Sequence, residues 1–156
     1  MRAVIVLLVA LSLEAAGSAV AQSPGLGPDE RNAILSYELT MDRANHLISA
    51  MSALTQYLVS LPDFKERMAR SAKLTPAERR AQMEQDPKTS EILKQNNLTA
   101  RDYLAGVLAL RMAVLSAQGV AAPNIVASPA NVAFAKAHLA ELKPKMDQAD
   151  GLGRRP

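Results

Sequence analysis

Cysteine and tryptophan are absent from this chain, and only five side chains are aromatic: Tyr37, Tyr57, Tyr103, Phe64 and Phe134. Without cysteine there is no disulfide, no thiolate nucleophile, no lipid-modified cysteine anchor and no C-x-x-C-H attachment of haem. Packing alone must hold the fold. So few aromatics beside abundant Ala, Leu and Met favour helices and argue against a β-sandwich. The motifs of several chemistries are missing as well. There is no Gly-rich phosphate loop, no H-E-x-x-H, no G-x-S-x-G and no E-x-x-H pair of the di-iron kind. Beyond residue 21 no apolar run reaches the length of a membrane span.

What is present begins with an address. Met1-Arg2 is a basic start, Ala3 to Leu13 is apolar throughout, and Ala19-Val20-Ala21 is an A-x-A cleavage pattern. Residues 1–21 therefore read as a signal peptide, with the mature chain starting at Gln22 in the periplasm or secreted. Removing 21 of 156 residues leaves 135, enough for one domain with one core. Arg2 and Glu14 leave together, so the net charge stays at +3. Residues 22–28 read as a flexible lead-in, 29–149 as a helical domain and 150–156 as a disordered tail.

The fold class this pattern predicts is all-α: a single-domain helical bundle of about three long helices and two or three short ones. Ile34, Tyr37, Met41, Ala44, Ile48, Met51, Thr55 and Leu58 recur at helical spacing, with Leu47, Leu54 and Leu61 widening the stripe. They predict one long helix over 29–60, stopped by Pro62. That stripe suits a homo-oligomer as readily as a monomer core. Pro62 to Lys73 reads as a short basic helix. Thr75-Pro76-Ala77-Glu78 reads as a capping box, and Asp86-Pro87 as a second N-cap with proline behind it. The latter helix runs to about Asn96, and Asn97 takes a left-handed cap.

Thr99 and Asp102 open a helix over 99–118 that Gly119 stops. Leu98 and Tyr103 occupy the positions of a hydrophobic staple. This helix is apolar nearly all round, which marks it as central. Val120 to Ala127 reads as a connector lying on the core through Ile125 and Val126. Ser128-Pro129 opens the last helix, which Pro144 ends or kinks near Lys143.

Four groups of residues invite chemistry. His46 and His138, with Met41, Met51 and Met146 as further ligands, suggest a haem or metal held between helices. Asp42 with His46, and His138 with Glu141, are half-sites at helical spacing. The helical phase turns His46 away from the apolar stripe, so solvated histidines are the simpler reading and no cofactor is assigned. Arg111 breaks the apolar pattern of helix 99–118. It reads as an ion pair with an acid such as Glu38 or Asp42, or as an anion-binding group in a cleft. Lys65, Arg67, Arg70, Lys73, Arg79 and Arg80 lie within 16 residues and form a basic surface, either a solvated face or a contact for an anionic envelope surface or an acidic protein. Export and the lack of interleaved aromatics disfavour nucleic acid. Catalysis is left with Ser, Thr and His from distant parts of the sequence, a dispersed site at most.

Leu74-Thr75-Pro76-Ala77-Glu78-Arg79-Arg80, in an exported, cysteine-free, basic helical chain, resembles the LTxxQ motif of the Spy-like periplasmic chaperones. Glu78 stands where that motif has Gln. The resemblance covers about seven residues and implies client binding on a basic, partly apolar concave surface. The function expected is a non-enzymatic binding or interaction protein of the bacterial envelope, chaperone-like in that resemblance. A haem- or metal-binding bundle and an enzyme with a dispersed site are the alternatives.

Overall fold

Proline sets the starts of four helices. Pro28, Pro76, Pro87 and Pro129 each stand at the first helical position, where a missing N–H costs nothing and the fixed φ is already helical. The computed structural model describes residues 27–120 and 127–151. All regular structure among them is helical: α1 (Pro28–Ser36), α2 (Met41–Ser60), α3 (Phe64–Ser71), α4 (Pro76–Gln85), α5 (Pro87–Gln95), α6 (Ala100–Ala117) and α7 (Pro129–Gly151). None of these is long and apolar enough to cross a membrane. The expected signal peptide at 1–21, positions 22–26 of the expected lead-in, connector positions 121–126 with Ile125 and Val126, and tail positions 152–156 lie outside the described residues.

The caps follow local chemistry. Thr75 accepts from the Glu78 amide while the Glu78 carboxylate accepts from the Thr75 amide, and Thr99 with Asp102 repeats the arrangement. Asp86 accepts from the Thr89 amide at 2.9 Å. Asn97, at φ 55, closes α5 with the two reverse bonds of a Schellman motif, Leu98 N to Leu93 O and Asn97 N to Lys94 O. Gly119, at φ 78, closes α6 in the same way through Val120 N to Leu115 O.

Helix α6 is the centre. It packs against α1, α2, α4, α5 and α7, and α2 also packs on α7. Tyr103, Leu47, Met51, Leu110, Leu142 and Val107 are the largest fully buried side chains. Each contributes about 1.5–3 kcal/mol of burial free energy. Gly106 lets the helices close up. A Cβ there would lie 2.7 Å from Tyr37 Cζ and 2.8 Å from Leu47 Cδ2.

Three expectations change. The single helix over 29–60 is two helices, with an extended break over 37–40 and Thr40 capping α2. The break is held by Asn131, whose side chain accepts from Leu39 N at 3.0 Å and donates to Tyr37 O at 2.7 Å. Two backbone groups that a continuous helix would pair internally are satisfied instead from α7. The lead-in is shorter than expected, since Pro28 is already helical. Finally, an end near Lys143, one of the two outcomes expected at Pro144, does not occur: α7 continues through the proline to Gly151, which takes Asp150 and Gly151 out of the tail.

Pro144 and Ala140 are both exposed, and the proline removes the intrahelical donor that the Ala140 carbonyl would otherwise have. Beyond it Met146 and Ala149 are buried, and Lys145–Glu141 and Lys143–Asp147 pairs straddle the proline. Their packing outweighs the one lost bond. Seven helices stand among the described residues, where about three long and two or three short ones were expected.

Candidate functional site

The basic segment divides into two kinds of cation. Arg67 donates through Nε to both Asp63 oxygens at 2.9 Å and lies 3.8 Å from Asp86. Hydrogen bonding to Arg67 holds the Asp63 carboxyl below its ordinary pKa. Asp86 also accepts from the Tyr57 hydroxyl at 3.1 Å, so this ion cluster ties α2, α3 and the α4–α5 junction together. Arg79 is half-buried and donates twice to Leu74 O, at 3.2 and 3.0 Å. Burial lowers its pKa from the ordinary value. These two arginines are used inside the fold. Arg70 reaches Asp63 at 3.6 Å but its side chain stays 66% exposed. Lys65, Lys73 and Arg80 are exposed and make no ion pair among the described residues. Neither α3 nor α4 has a buried residue. Phe64 and Met68 on α3 are half-buried.

Arg111 finds an acid, but not Glu38 or Asp42. It pairs with Asp150 on the last turn of α7, Nη2 to Oδ1 at 2.5 Å, with the two side chains 19% and 24% exposed. Sequence did not offer this partner because Asp150 fell in the expected disordered tail. Arg111 Nε and the Tyr103 hydroxyl are buried without a hydrogen-bond partner among the described residues. Burial pushes the Tyr103 hydroxyl well above its ordinary pKa, while the Arg111 charge pulls down and the Asp150 charge pushes up. The pair borders a cleft of about 230 Å³ between α6 and α7. Leu108, Met112, Leu115 and Met146 supply its apolar wall, and Gln118, Lys143 and Asp147 its polar rim. Leu115 at 36% and, beyond the helix end, Val120 at 49% are the exposed large apolar side chains among the described residues.

A second cleft, of about 460 Å³, was not anticipated from sequence. It is polar. Arg43 lies 5.7 Å over the Tyr37 ring and donates to Glu38 O at 2.8 Å. His46, Arg101, Asp102, Ser36 and Asn97 complete its polar lining. The 37–40 break creates this space, and that break depends on a residue of α7. The charges in it alternate, so it offers no uncompensated field for a single ion.

The two histidines have different surroundings. His46 is half-exposed in the polar cleft, with Nδ1 3.9 Å from Asp42, so the first half-site exists as an exposed contact. His138 packs on Phe134 at 4.8 Å between ring centroids. Glu141, its expected partner, is engaged by Lys145 at 2.7 Å. Met51 and Met146 belong to the apolar core, and Met41 packs against it. Among the described residues no group of three or more His, Asp or Glu side chains is placed to hold a metal ion.

In three comparisons the chain matches no protein-family model, no curated protein and no solved structure. The reading of function therefore rests on the geometry above.

Proposed function

We propose that this chain is an exported, non-enzymatic interaction protein of the bacterial envelope, a single-domain helical bundle that meets an anionic partner through α3 and α4. One observation carries the reading. Between residues 64 and 80 six Lys or Arg stand against two Asp or Glu, while the rest of the chain holds twelve against thirteen. The positive excess is thus concentrated on α3, the first half of α4 and the turn between them that carries Lys73, a stretch with no buried residue. Charge gathered on a surface segment steers association with surfaces of opposite sign. The test is fractionation of the source cells. Protein recovered with the envelope should begin at Gln22 and be released by salt. A chain confined to the cytosol and still beginning at Met1 would overturn the reading.

A second reading, client binding of the kind the LTxxQ resemblance implies, draws on the α6–α7 cleft. Its methionines adapt to varied apolar surfaces, and Leu115 and Val120 are exposed beside it. It predicts that the purified protein slows aggregation of an unfolded client, and that Leu115→Ser with Val120→Ser weakens this effect.

A further inference from the structure

The six cations of the basic segment look equivalent in sequence, but their surroundings are not. We infer that α3, α4 and the turn between them form a docking face for the anionic headgroups of a phospholipid bilayer, made by Lys65, Arg70, Lys73 and Arg80, while Arg67 and Arg79 hold the face in shape. The inference rests on the interaction reading above and names its partner.

Three observations favour a lipid plane over an acidic protein. First, the outward cations lie on α3, on α4 and, for Lys73, on the turn between them, and neither cleft described above involves this stretch. A contact without a pocket suits an extended array of charges. Second, no exposed large apolar side chain occurs on α3 or α4; the two among the described residues are Leu115 and Val120. Protein interfaces draw most of their affinity from buried aromatic and apolar anchors, which this face lacks. Headgroup attraction needs none, each Lys or Arg near an anionic surface contributing about fivefold in partitioning. Third, the side chains that would otherwise collapse onto the face are tied elsewhere. Asp63 is bonded by Arg67 at 2.9 Å and reaches one cation of the face, Arg70, only at 3.6 Å, and the Glu78 carboxylate is taken by the Thr75 amide and hydroxyl. The acids left standing near the free cations are Glu66 on α3 and Glu84 on α4, both exposed. They keep the contact weak and reversible.

The tight pairs also explain how the face stays fixed. The Arg67–Asp63–Asp86 cluster anchors α3 beside the start of α5, and Arg79 clamps the start of α4 onto Leu74 O. Loss of these two arginines would loosen the scaffold. Loss of the free cations would discharge the surface and leave the scaffold intact.

The experiment is co-sedimentation of the purified protein with vesicles of phosphatidylglycerol mixed into phosphatidylcholine, and with phosphatidylcholine alone. Binding should require phosphatidylglycerol and fall steeply as salt rises. The triple variant Lys65→Gln, Lys73→Gln, Arg80→Gln should lose at least about tenfold in partitioning, with its thermal midpoint unchanged. A matched triple, Lys88→Gln, Lys94→Gln, Lys136→Gln, removes the same charge from exposed positions outside α3 and α4 and should retain most of the binding. Equal loss in both triples would reduce the effect to net charge and overturn the docking face. So would binding to phosphatidylcholine alone, or no binding to phosphatidylglycerol at low salt. In the last case, salt-releasable protein in the envelope fraction would leave the interaction reading standing with an acidic protein as partner.

Discussion

The side chain of Asn131 accepts a hydrogen bond from the backbone amide of Leu39 at 3.0 Å, across 92 positions of sequence. Asn131 is 2% exposed and is the residue that converts an expected long helix into α1, a break and α2. Replacing it with Leu strands the Leu39 N–H and the Tyr37 carbonyl together. A loss of roughly 2–4 kcal/mol is expected, read from urea unfolding. Asn131→Asp keeps the acceptor and sets a carboxylate against the Tyr37 carbonyl, and should also destabilise. A variant as stable as the parent would show that the break is held by something else.

Gly106 lies inside α6, where alanine would ordinarily gain about 1 kcal/mol in helix propensity. Its Cβ would instead press on the fully buried Leu47. Gly106→Ala is therefore expected to destabilise, by about 1–3 kcal/mol. Combining it with Leu47→Ala should cost less than the sum of the two single changes, which a double-mutant cycle measures.

The buried hydroxyl of Tyr103 without a partner predicts that Tyr103→Phe is neutral or stabilising, by up to about 1 kcal/mol. The same hydroxyl gives an alkaline dependence. Its folded pKa lies above the ordinary value of 10.0. The stability linked to it is whole below that value and is lost as pH rises above it, because only the unfolded chain ionises there. Unfolding midpoints of parent and Tyr103→Phe should converge in shape below pH 10.0 and separate above it, the parent falling faster.

Arg111 and Asp150 should behave as a pair. Arg111→Met alone leaves a partly buried carboxylate without its cation, and about 1–3 kcal/mol should be lost. Arg111→Met with Asp150→Leu should recover most of that, since apolar replacement of both partners removes the unpaired charge. Thermal melts of the three proteins suffice. Failure of the double variant to recover would give the pair a role beyond mutual neutralisation.

Acid should weaken the fold through its caps and surface pairs. Hydrogen bonds from the Thr75 backbone and hydroxyl hold Glu78 below its ordinary 4.5, Arg67 holds Asp63 below 3.8, and the bonds from Lys88 and Lys145 lower Glu91 and Glu141. A depressed folded pKa contributes stability above the unfolded value that disappears as pH falls through the folded one. Midpoints should therefore drop from about pH 5 to about pH 2. Glu78→Gln, which keeps the capping acceptor but not its charge, should flatten part of that drop.

Four helix beginnings were legible in the sequence because they depend on neighbours within three residues, whereas the equally local Thr40 cap of α2 was hidden inside an unbroken apolar stripe. Thr75 with Glu78, Thr99 with Asp102, Asp86 with Pro87 and Ser128 with Pro129 each satisfy amides within one turn, and each stands where expected. Asn97 and Gly119 ended helices for an equally local reason, the left-handed backbone they tolerate. The apolar stripe of α2 and the all-round apolarity of α6 announced an all-α fold with α6 at its centre.

The tertiary structure alone decided the rest, because each outcome turns on a partner distant in sequence. The helix at 37–40 breaks because Asn131 offers its backbone a better bargain than the next turn does. Helix α7 outlasts Pro144 because Met146 and Ala149 are buried beyond it. Arg111 meets Asp150 only because that extra length exists. The six basic residues of 65–80 are alike in sequence, but Asp63, Asp86 and Leu74 O engage Arg67 and Arg79 and leave Lys65, Lys73 and Arg80 facing outward. Local propensity sets where a helix starts, and packing against remote residues sets how far it runs and which charges remain free to act.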